Sequence, residues 1–161
     1  MVRLISMTEA EFDAFMVVSM RDQALGQVLA GNWNAEEADE LIEKLRDQLL
    51  PDDLVTPNHF FFTIEDQDSG AKVGGLWYTV VEQDGKRQFF VLDIQVYDEY
   101  RRRGYGTQAF RIMEEKAREM GITTISLHIF KHNRAAGAMY EKLGYVGTGE
   151  MMSKELGAEA E

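Results

Sequence analysis

A run rich in arginine and glycine contains the residue types best suited to binding an anion, Arg101-Arg102-Arg103-Gly104-Tyr105-Gly106-Thr107. Gly104 and Gly106 allow backbone conformations that other residues resist, so successive N–H groups can turn toward one anion at the start of a helix. The three arginines add charge and bidentate donors. The run therefore predicts a phosphate-binding loop, and an exposed basic turn is the alternative.

The elements on either side of this loop must position it. Phe89 to Val96 is apolar on both alternating faces for most of its length, as expected of a central strand covered on both sides. A helical pattern follows the loop and ends at Gly121, and the run from Ile122 to Phe130 is predicted to be a strand. Strand, loop, helix and strand form a crossover unit, so the strands around Val91 and Leu127 are expected to be parallel neighbours.

The start of the chain predicts a strand over Arg3 to Met7 and then two acidic helices. Thr8-x-x-Glu11 and Asn34-x-x-Glu37 both have the spacing of a capping box, which marks a helix start. The first helix is expected to run toward the region from Gly26 to Gly31, and Pro51 is expected to end the second.

Three antiparallel strands are predicted next. His59 to Ile64 and Lys72 to Glu82 are rich in β-forming residues, and the Gly74-Gly75 pair is suited to a bulge. Asp84-Gly85 is a two-residue hairpin signal that leads into the strand from Arg87 to Val96.

Two further elements complete the predicted domain. Asn133 is expected to cap a helix that ends at Gly144, and Tyr145 to Ser153 is predicted to be the last strand. With 161 residues, 45% of them hydrophobic, the chain is expected to form one domain over residues 1–156. Residues 157–161 are expected to be a disordered tail.

The composition also excludes several kinds of site. There is no cysteine, which excludes disulfides, thiolate metal sites and cysteine nucleophiles. His59, His128 and His132 are too scattered to indicate a metal site, so no metal is expected. His128 is interpreted as a satisfied sheet residue, and the alternative is that it faces a functional site beside the sheet. No window reaches the ~18 apolar residues needed to span a bilayer, and a cytoplasmic protein is expected.

The net charge of −11 is unevenly distributed. Residues 1–57 hold 4 Lys or Arg against 12 Asp or Glu, whereas residues 98–134 hold 8 against 5. An acidic lobe, which either only keeps the protein in solution or attracts a cation, therefore adjoins a basic patch. The overall charge disfavours nucleic acid, whereas the local patch suits a compact polyanionic ligand.

A dinucleotide-binding site is a competing interpretation of the loop, because residues 104–109 also satisfy G-x-G-x-x-G/A. Such a unit usually opens its domain and has an acidic residue at the end of its second strand for the ribose hydroxyls. Here three antiparallel strands come first, and the second strand ends in Phe130-Lys131-His132-Asn133-Arg134. The sequence therefore favours a different phosphate-bearing ligand.

Two segments in this order resemble the GNAT family of acyl-CoA-dependent N-acetyltransferases. Arg101-x-x-Gly104-x-Gly106 is similar to that family's Arg/Gln-x-x-Gly-x-Gly/Ala loop, and it follows a strand ending in Asp93-Ile94-Gln95-Val96. Asn133-x-x-Ala136-x-x-Met139-Tyr140-Glu141-Lys142-Leu143-Gly144-Tyr145 is similar to the family's Asn-x-x-Ala-x-x-Leu-Tyr-Glu-Lys-Leu-Gly-Phe segment. The motifs span roughly residues 89–145, and residues 8–57 match in layout only.

The resemblance implies that acetyl-CoA is the co-substrate. Backbone donors from Arg102 through Thr107, with the arginine charges around them, would bind its phosphates. The pantetheine arm would pair like a strand with the backbone of Ile94, Gln95 and Val96, where two parallel strands splay. A backbone N–H near Val96 would then meet the thioester carbonyl, and Asn133 is assigned to the cofactor side of the site.

Proton transfer is the second implication of the resemblance. Tyr140 would act as general acid toward the departing CoA thiolate, since a phenol with an unperturbed pKa near ~10 is a poor base at neutral pH. Asn133 lies two turns before it on the same helix face, and Gly137 between them is interpreted as allowing close ligand approach. Asp93 is the candidate base, acting through water, with a buried and satisfied carboxylate as the alternative. Leu92 stands where many relatives have Glu.

We therefore predict an α/β domain with a central mixed, largely antiparallel sheet, a splayed parallel pair and helices on both faces. The predicted reaction is direct acetyl transfer from acetyl-CoA to a primary amine of a small molecule, peptide or protein. The alternatives are a non-catalytic acyl-CoA-binding module and a dinucleotide-binding oxidoreductase. No nucleic acid or membrane partner is expected, and the chain is expected to be a monomer or homodimer.

Overall fold

The fold is seen in a computed structural model that describes residues 1–154, 156 and 157. Its elements in chain order are β1 (Val2–Ser6), α1 (Glu9–Leu29), α2 (Ala38–Leu49), β2 (His59–Asp66), β3 (Lys72–Gln83), β4 (Lys86–Val96), α3 (Tyr105–Glu119), β5 (Ile125–Leu127) and α4 (Arg134–Lys142). Short 3₁₀ turns lie at Asp53–Val55 and Asp98–Tyr100. Apart from Gly157, the predicted tail lies outside the described residues.

The strands form one sheet in the order β1-β2-β3-β4-β5, with helices on both faces. Every neighbouring pair is antiparallel except β4 and β5, which are parallel as predicted. On one face α1 contributes Phe12, Phe15 and Met16 to a core cluster with Phe61 and Trp77. On the other face α3 contributes Phe110 and Met113 to a cluster with Phe89. None of the helices in the described part of the chain has the length and apolar character needed to cross a bilayer.

The two predicted helix starts differ in outcome. The capping box at the start of α1 is confirmed, because the Glu11 N–H donates to Thr8 Oγ1 at 3.2 Å and the Thr8 N–H donates to Glu11 Oε1 at 2.9 Å. The start predicted at Asn34 is wrong, and α2 begins at Ala38 without a side-chain cap. The reason is local: the Asn34 carbonyl accepts from the Glu37 N–H at 3.1 Å and closes a turn before the helix.

The hairpin between β3 and β4 forms as predicted. Asp84 and Gly85 have φ values of 54° and 77°, the left-handed conformation that a tight two-residue hairpin requires. A bulge also lies near the predicted glycine pair, but its extra residue is Val73, since Ile64 pairs with Gly74 and Glu65 with Lys72. A β-carbon built on Gly74 would overlap the Gln95 carbonyl oxygen, so this glycine permits the close approach of β3 and β4.

Two strand predictions at the C-terminal end are wrong. Only Ile125–Leu127 forms β5, rather than the predicted run from Ile122 to Phe130. Residues 145–153, predicted to be a strand, are irregular in the structure. Gly147 and Gly149 weaken strand formation there, and Val146 is 80% exposed, so this segment has little apolar surface against which to pack.

Candidate active site

The predicted phosphate-binding loop, Arg101 to Thr107, joins the end of β4 to the start of α3, and it is called the anion loop below. Arg102 has a φ of 65° and Gly104 a φ of 80°, and Gly104 precedes the first helical residue, Tyr105. The Gln108 N–H is the first to bond back along the helix, to the Gly104 carbonyl at 3.1 Å. The N–H groups of residues 105–107 therefore have no acceptor within the helix, which makes this N-terminus able to receive an anion.

The three arginines of the loop have different surroundings, although all three are exposed. Arg101 Nε donates to the Val96 carbonyl at 3.0 Å, and its Nη1 lies 3.1 Å from Asp98 Oδ1. The Arg103 guanidinium lies over the ring of Tyr100, 5.8 Å from its centroid. Arg101 thus holds the loop to the end of β4, whereas the charges of Arg102 and Arg103 face solvent around the helix start.

Two residues of the loop fix how α3 packs. A β-carbon on Gly106 would lie 3.1 Å from Met139 Sδ and 3.7 Å from Val96 Cγ2, so Gly106 lets α3 approach both α4 and β4. The Tyr105 hydroxyl donates to Asp66 Oδ2 at 2.8 Å, and this bond raises the pKa of Tyr105. The Tyr105 side chain is therefore directed toward β2, and only its backbone belongs to the anion loop.

A gap opens beside β4 beyond the last parallel pair. β4 and β5 are paired only from Phe89 and Ile125 to Val91 and Leu127, whereas β4 continues to Val96. On the side of β4 away from β3, residues 92–96 therefore have no strand beside them among the described residues. This side is called the β4 edge. Ile94, Gln95 and Val96, three predicted cofactor residues, lie on this edge, which leads directly into the anion loop.

A bulge in β4 decides which way Asp93 points. Trp77 pairs with Asp93 and Tyr78 with Val91, so Leu92 is the extra residue. Before the bulge Phe89 and Val91 pack with the α3 cluster, whereas the bulge residue Leu92 packs with the α1 cluster, to which Trp77, the partner of Asp93, also belongs. A regular strand would continue the α3-facing series to Asp93, but the bulge turns Asp93 toward α1.

Asp93 is half-buried between β4 and α1. Gln95 Nε2 donates to Asp93 Oδ2 at 3.0 Å, and the buried Ser19 lies beside the same carboxyl group. Burial raises the pKa of Asp93, and the charge of Asp22 raises it further. The hydrogen bond from Gln95, together with the nearby Ser19 hydroxyl and Ile94 N–H, opposes this rise without cancelling it. The Asp93 carboxylate therefore binds a proton more readily than an exposed aspartate does.

Tyr140 lies on α4, on the opposite face of the sheet. Its ring packs against Phe110 with the centroids 5.4 Å apart, and against Tyr145 at 6.1 Å. Burial raises the pKa of Tyr140 to about 12, and the charge of Asp93 contributes to the same rise. Its hydroxyl makes no hydrogen bond to a side chain or backbone group in residues 1–154. Tyr140 therefore stays protonated at neutral pH and can donate its proton.

Asn133 caps α4 as predicted. Its Oδ1 accepts from the Ala136 N–H at 3.4 Å, and the residue is exposed. Between Asn133 and Tyr140, a β-carbon on Gly137 would lie 3.4 Å from Ile129, an ordinary contact distance. The packing of α4 does not require a glycine at that position.

The three histidines do not come together. His128 lies beyond β5 and is exposed, with its ring edge-on to Phe130, so its interpretation as a satisfied sheet residue is wrong. His59 Nδ1 accepts from Trp77 Nε1 at 3.0 Å, and burial lowers the pKa of His59. In the part of the chain that the structure describes, no group of three or more His, Cys, Asp or Glu is arranged to hold a metal ion.

The polar face of α1 was not found from the sequence. Ser19 and Gln23 lie on the helix face that also carries Phe15. Ser19 is fully buried beside Asp93, and Gln23 Nε2 donates to the Leu92 carbonyl at 3.4 Å. The available signal was the presence of two polar residues, four apart, on an otherwise apolar buried stripe.

Comparison with known proteins defines the class. Residues 19–145 match the family model described as "Acetyltransferase (GNAT) family". The chain belongs to this family of N-acetyltransferases, and the sheet with its parallel β4–β5 pair is the fold of its structural neighbours.

Two relatives come from Bacillus subtilis and are both named uncharacterized N-acetyltransferases. YycN is 34% identical over 155 residues, which cover 96% of this chain and 99% of YycN. YdgE is 33% identical over 150 residues, which cover 93% and 95% of the two chains. The crystal structure of YycN superposes with a TM-score of 0.89 over 98% of this chain and 100% of that one. A Pyrococcus furiosus protein of known structure, 22% identical over 97% of this chain and 100% of that one, shares the fold with a TM-score of 0.70.

Proposed function

We propose that this chain transfers the acetyl group of acetyl-CoA directly to a primary amine. The observation that carries the proposal is the continuity between the open β4 edge at residues 92–96 and the N-terminus of α3. An extended arm can lie along the first while its phosphates reach the second. Membership of the N-acetyltransferase family supplies the reaction class.

The anion loop is proposed to hold the pyrophosphate of the donor. Backbone N–H groups from Arg102 through Thr107 would bind it, and the exposed guanidinium groups of Arg102 and Arg103 would balance the remaining phosphate charge. Arg101 would shape the loop through its bonds to Val96 and Asp98. The left-handed conformations of Arg102 and Gly104 support this fit, because such turns direct successive N–H groups to one point.

The pantetheine arm is proposed to lie along Ile94, Gln95 and Val96. The thioester that it carries supplies the activated acetyl group, and the backbone N–H of Val96 would face its carbonyl oxygen. Asn133 and Gly137 would border the same gap from α4. Because packing alone tolerates a β-carbon at Gly137, close approach of a ligand is a reason for glycine there.

Proton transfer is assigned to Asp93 and Tyr140. Asp93, directly or through water, would take a proton from the substrate ammonium, and the freed nitrogen lone pair would attack the thioester carbonyl carbon. As the C–S bond breaks, Tyr140 would donate its proton to the sulfur. Of the two protons that the nitrogen loses, one passes through Asp93 to solvent and the other restores Tyr140. The products are an amide and the CoA thiol.

The acceptor is proposed to be cationic or polyamine-like. Its site would lie beside α1 and α2, whose residues make up most of the acidic lobe. The charged residues that line a groove between these helices are Asp13, Glu43 and Arg46. A field of negative charge raises the local concentration of cations. Faster turnover of anionic amines than of matched cationic ones would overturn this assignment.

Thermal shift with four ligands tests the donor. Acetyl-CoA and CoA are expected to raise the apparent melting temperature, whereas NADH and NADPH are expected to have no effect, because a ligand specific for the native state stabilises it. Release of CoA thiol with a panel of amines then tests catalysis. Protection by a nicotinamide cofactor alone would instead indicate an oxidoreductase, and CoA binding without thiol release from any amine would indicate a binding module.

A further inference from the structure

The side-chain amide of Gln95 joins helix α1 to Asp93. Gln95 Nε2 lies 3.1 Å from the Phe15 carbonyl oxygen of α1 and 3.0 Å from Asp93 Oδ2. The two hydrogens of one NH₂ group can therefore serve two acceptors, one on the helix backbone and one on the carboxyl group. No other hydrogen bond in the described part of the chain links α1 and Asp93 in this way.

The bulge at Leu92 makes this arrangement possible. It turns both Asp93 and Gln95 toward α1, and Gln23 Nε2 then donates to the Leu92 carbonyl of the bulge at 3.4 Å. α1 is thus attached to β4 on both sides of Asp93, by Gln23 before it and Gln95 after it. Asp93 lies between these two attachments.

We propose that Gln95 is a positioning residue that fixes the orientation of the Asp93 carboxylate toward the gap beside β4. The proposal rests on the proposed function in one respect, the use of Asp93 as the proton acceptor. Bulges commonly change the direction of a side chain next to an active site. Here the carboxylate whose direction is changed also accepts a hydrogen bond from Gln95.

The chemistry of the site favours an amide at position 95. From α1, Asp93 faces the Asp22 charge and the Ser19 hydroxyl, and from α4 it faces Tyr140. Burial and Asp22 oppose ionisation of Asp93, whereas the Gln95 amide donates to the ionised form and favours it. A glutamate at 95 would place an acceptor and a second charge there, and an aliphatic side chain would provide no donor.

Gln95→Met tests the proposal, because methionine keeps the unbranched length of the side chain and removes both donors. The first readout is the pKa of Asp93, measured by NMR of protein labelled with carbon-13 at the aspartate carboxyl groups, with Asp93→Asn used to assign the signal. This pKa is expected to rise in Gln95→Met and to rise further in Gln95→Glu. The control is Gln88→Met, the same change on the same strand, where Gln88 contacts Gln83 and Ser126 instead.

The second readout is the pH profile of kcat/KM for CoA release. In Gln95→Met the acid limb is expected to move to higher pH, with about a tenfold fall in kcat/KM at pH values below the wild-type limb for loss of one charge-assisted hydrogen bond. Activity should recover above the shifted limb, where Asp93 is ionised again. If the Gln95 hydrogen bonds only stabilised the fold, Gln95→Met would lower the free energy of unfolding and leave the acid limb of the kcat/KM profile unchanged.

The outcomes separate this proposal from the proposed function. An Asp93 pKa that is the same in Gln95→Met, Gln88→Met and the wild type overturns the role of Gln95, whether or not an acceptor amine has been found. Wild-type turnover in Asp93→Asn would instead overturn the use of Asp93 as proton acceptor. Should Gln95→Met not fold, Gln95→Leu also removes both donors without adding a charge and gives the same two measurements.

Discussion

Asp93 and Tyr140 lie on opposite faces of the sheet, yet the charge of one acts on the other. Asp93 is held on the α1 face by Gln95, whereas Tyr140 packs against Phe110 on the α3 face, and burial together with the charge of Asp93 raises the pKa of Tyr140. One group is a carboxyl that can take a proton, and the other is a phenol that keeps its proton at neutral pH. In the proposed mechanism, a substrate in the gap would lie between Asp93 as base and Tyr140 as acid.

Replacement of Tyr140 by Phe tests the acid. Removing the hydroxyl is expected to lower kcat about 10²-fold or more, the usual contribution of a general acid, with little change in the Kd of CoA. Single-turnover kinetics and calorimetric titration with CoA measure the two effects separately. Tyr145→Phe is the matched control, because Tyr145 belongs to the same aromatic cluster but donates to Glu114 at 2.9 Å.

The pH dependence gives a second test of the same residue. Because the pKa of Tyr140 is about 12, the hydroxyl stays protonated through pH 10, and no alkaline loss of activity from this group is expected below that.

An unchanged kcat in Tyr140→Phe would remove the residue from the mechanism. An equal fall in Tyr145→Phe would attribute the effect to packing.

Asp93→Asn is expected to lower activity and raise stability at neutral pH. The pKa of Asp93 is raised in the folded state, so its stability contribution is complete below the ordinary carboxyl pKa and is lost as pH rises through the folded pKa. Asparagine cannot ionise, so the variant avoids that loss while Gln95 can still donate to its oxygen. In urea unfolding from pH 4 to 8, the free energy of unfolding of Asp93→Asn should increase relative to that of the wild type as pH rises. A constant difference would show that Asp93 does not titrate as inferred.

Much of the loop from Arg101 to Thr107 and of the elements beside it follows from short-range sequence signals. Gly104 has the left-handed conformation that its place before a helix suggested, and the crossover rule correctly predicted that β4 and β5 are parallel. Such features depend on a few neighbouring residues and on chain chirality. The resemblance of two motifs to one family then narrowed the predicted ligand of the loop from any compact polyanion to acetyl-CoA.

The contacts between α1 and β4 could not be predicted in the same way. The bulge that turns Asp93 toward α1 leaves no turn signal in the sequence, because its extra residue, Leu92, is an ordinary strand former. The contacts of Gln95 and Gln23 join segments far apart in the chain, 80 and 69 residues from their acceptors. The strand predicted over residues 145–153 failed for a related reason, since a β-rich pattern forms a strand only where a partner edge and packing surface are present.

Gly104→Ala is expected to weaken CoA binding. An alanine at a φ of 80° costs about 1 kcal/mol, and relief of that strain would turn the first N–H groups of α3 away from their common point. Gly121→Ala provides the control at the other end of α3, because Gly121 has a similar φ of 73° and open space around it. Both variants should lose similar stability in urea, but only Gly104→Ala should raise the Kd of CoA. Equal Kd values would exclude the loop from donor binding.

The contact between Gly26 and Phe130 couples α1 to the segment that leads into α4. A β-carbon on Gly26 would lie 2.6 Å from Phe130 Cδ2, too close for any side chain, and the ring is held between His128 and His132. Gly26→Ala is therefore expected to destabilise the protein, although alanine favours the middle of a helix over glycine by about 1 kcal/mol. Displacement of Phe130 should also move α4, and with it Tyr140, so turnover should fall.

A double-mutant cycle isolates this contact, because the effect of Gly26→Ala should reverse its sign when the ring is absent. In a Phe130→Ala background no ring opposes the new β-carbon, and the helix preference alone should make Gly26→Ala stabilising by about 1 kcal/mol. Urea unfolding of the four proteins gives the coupling free energy directly. If Gly26→Ala destabilises both backgrounds equally, the cost arises within α1, and α1 does not position the start of α4 through Phe130.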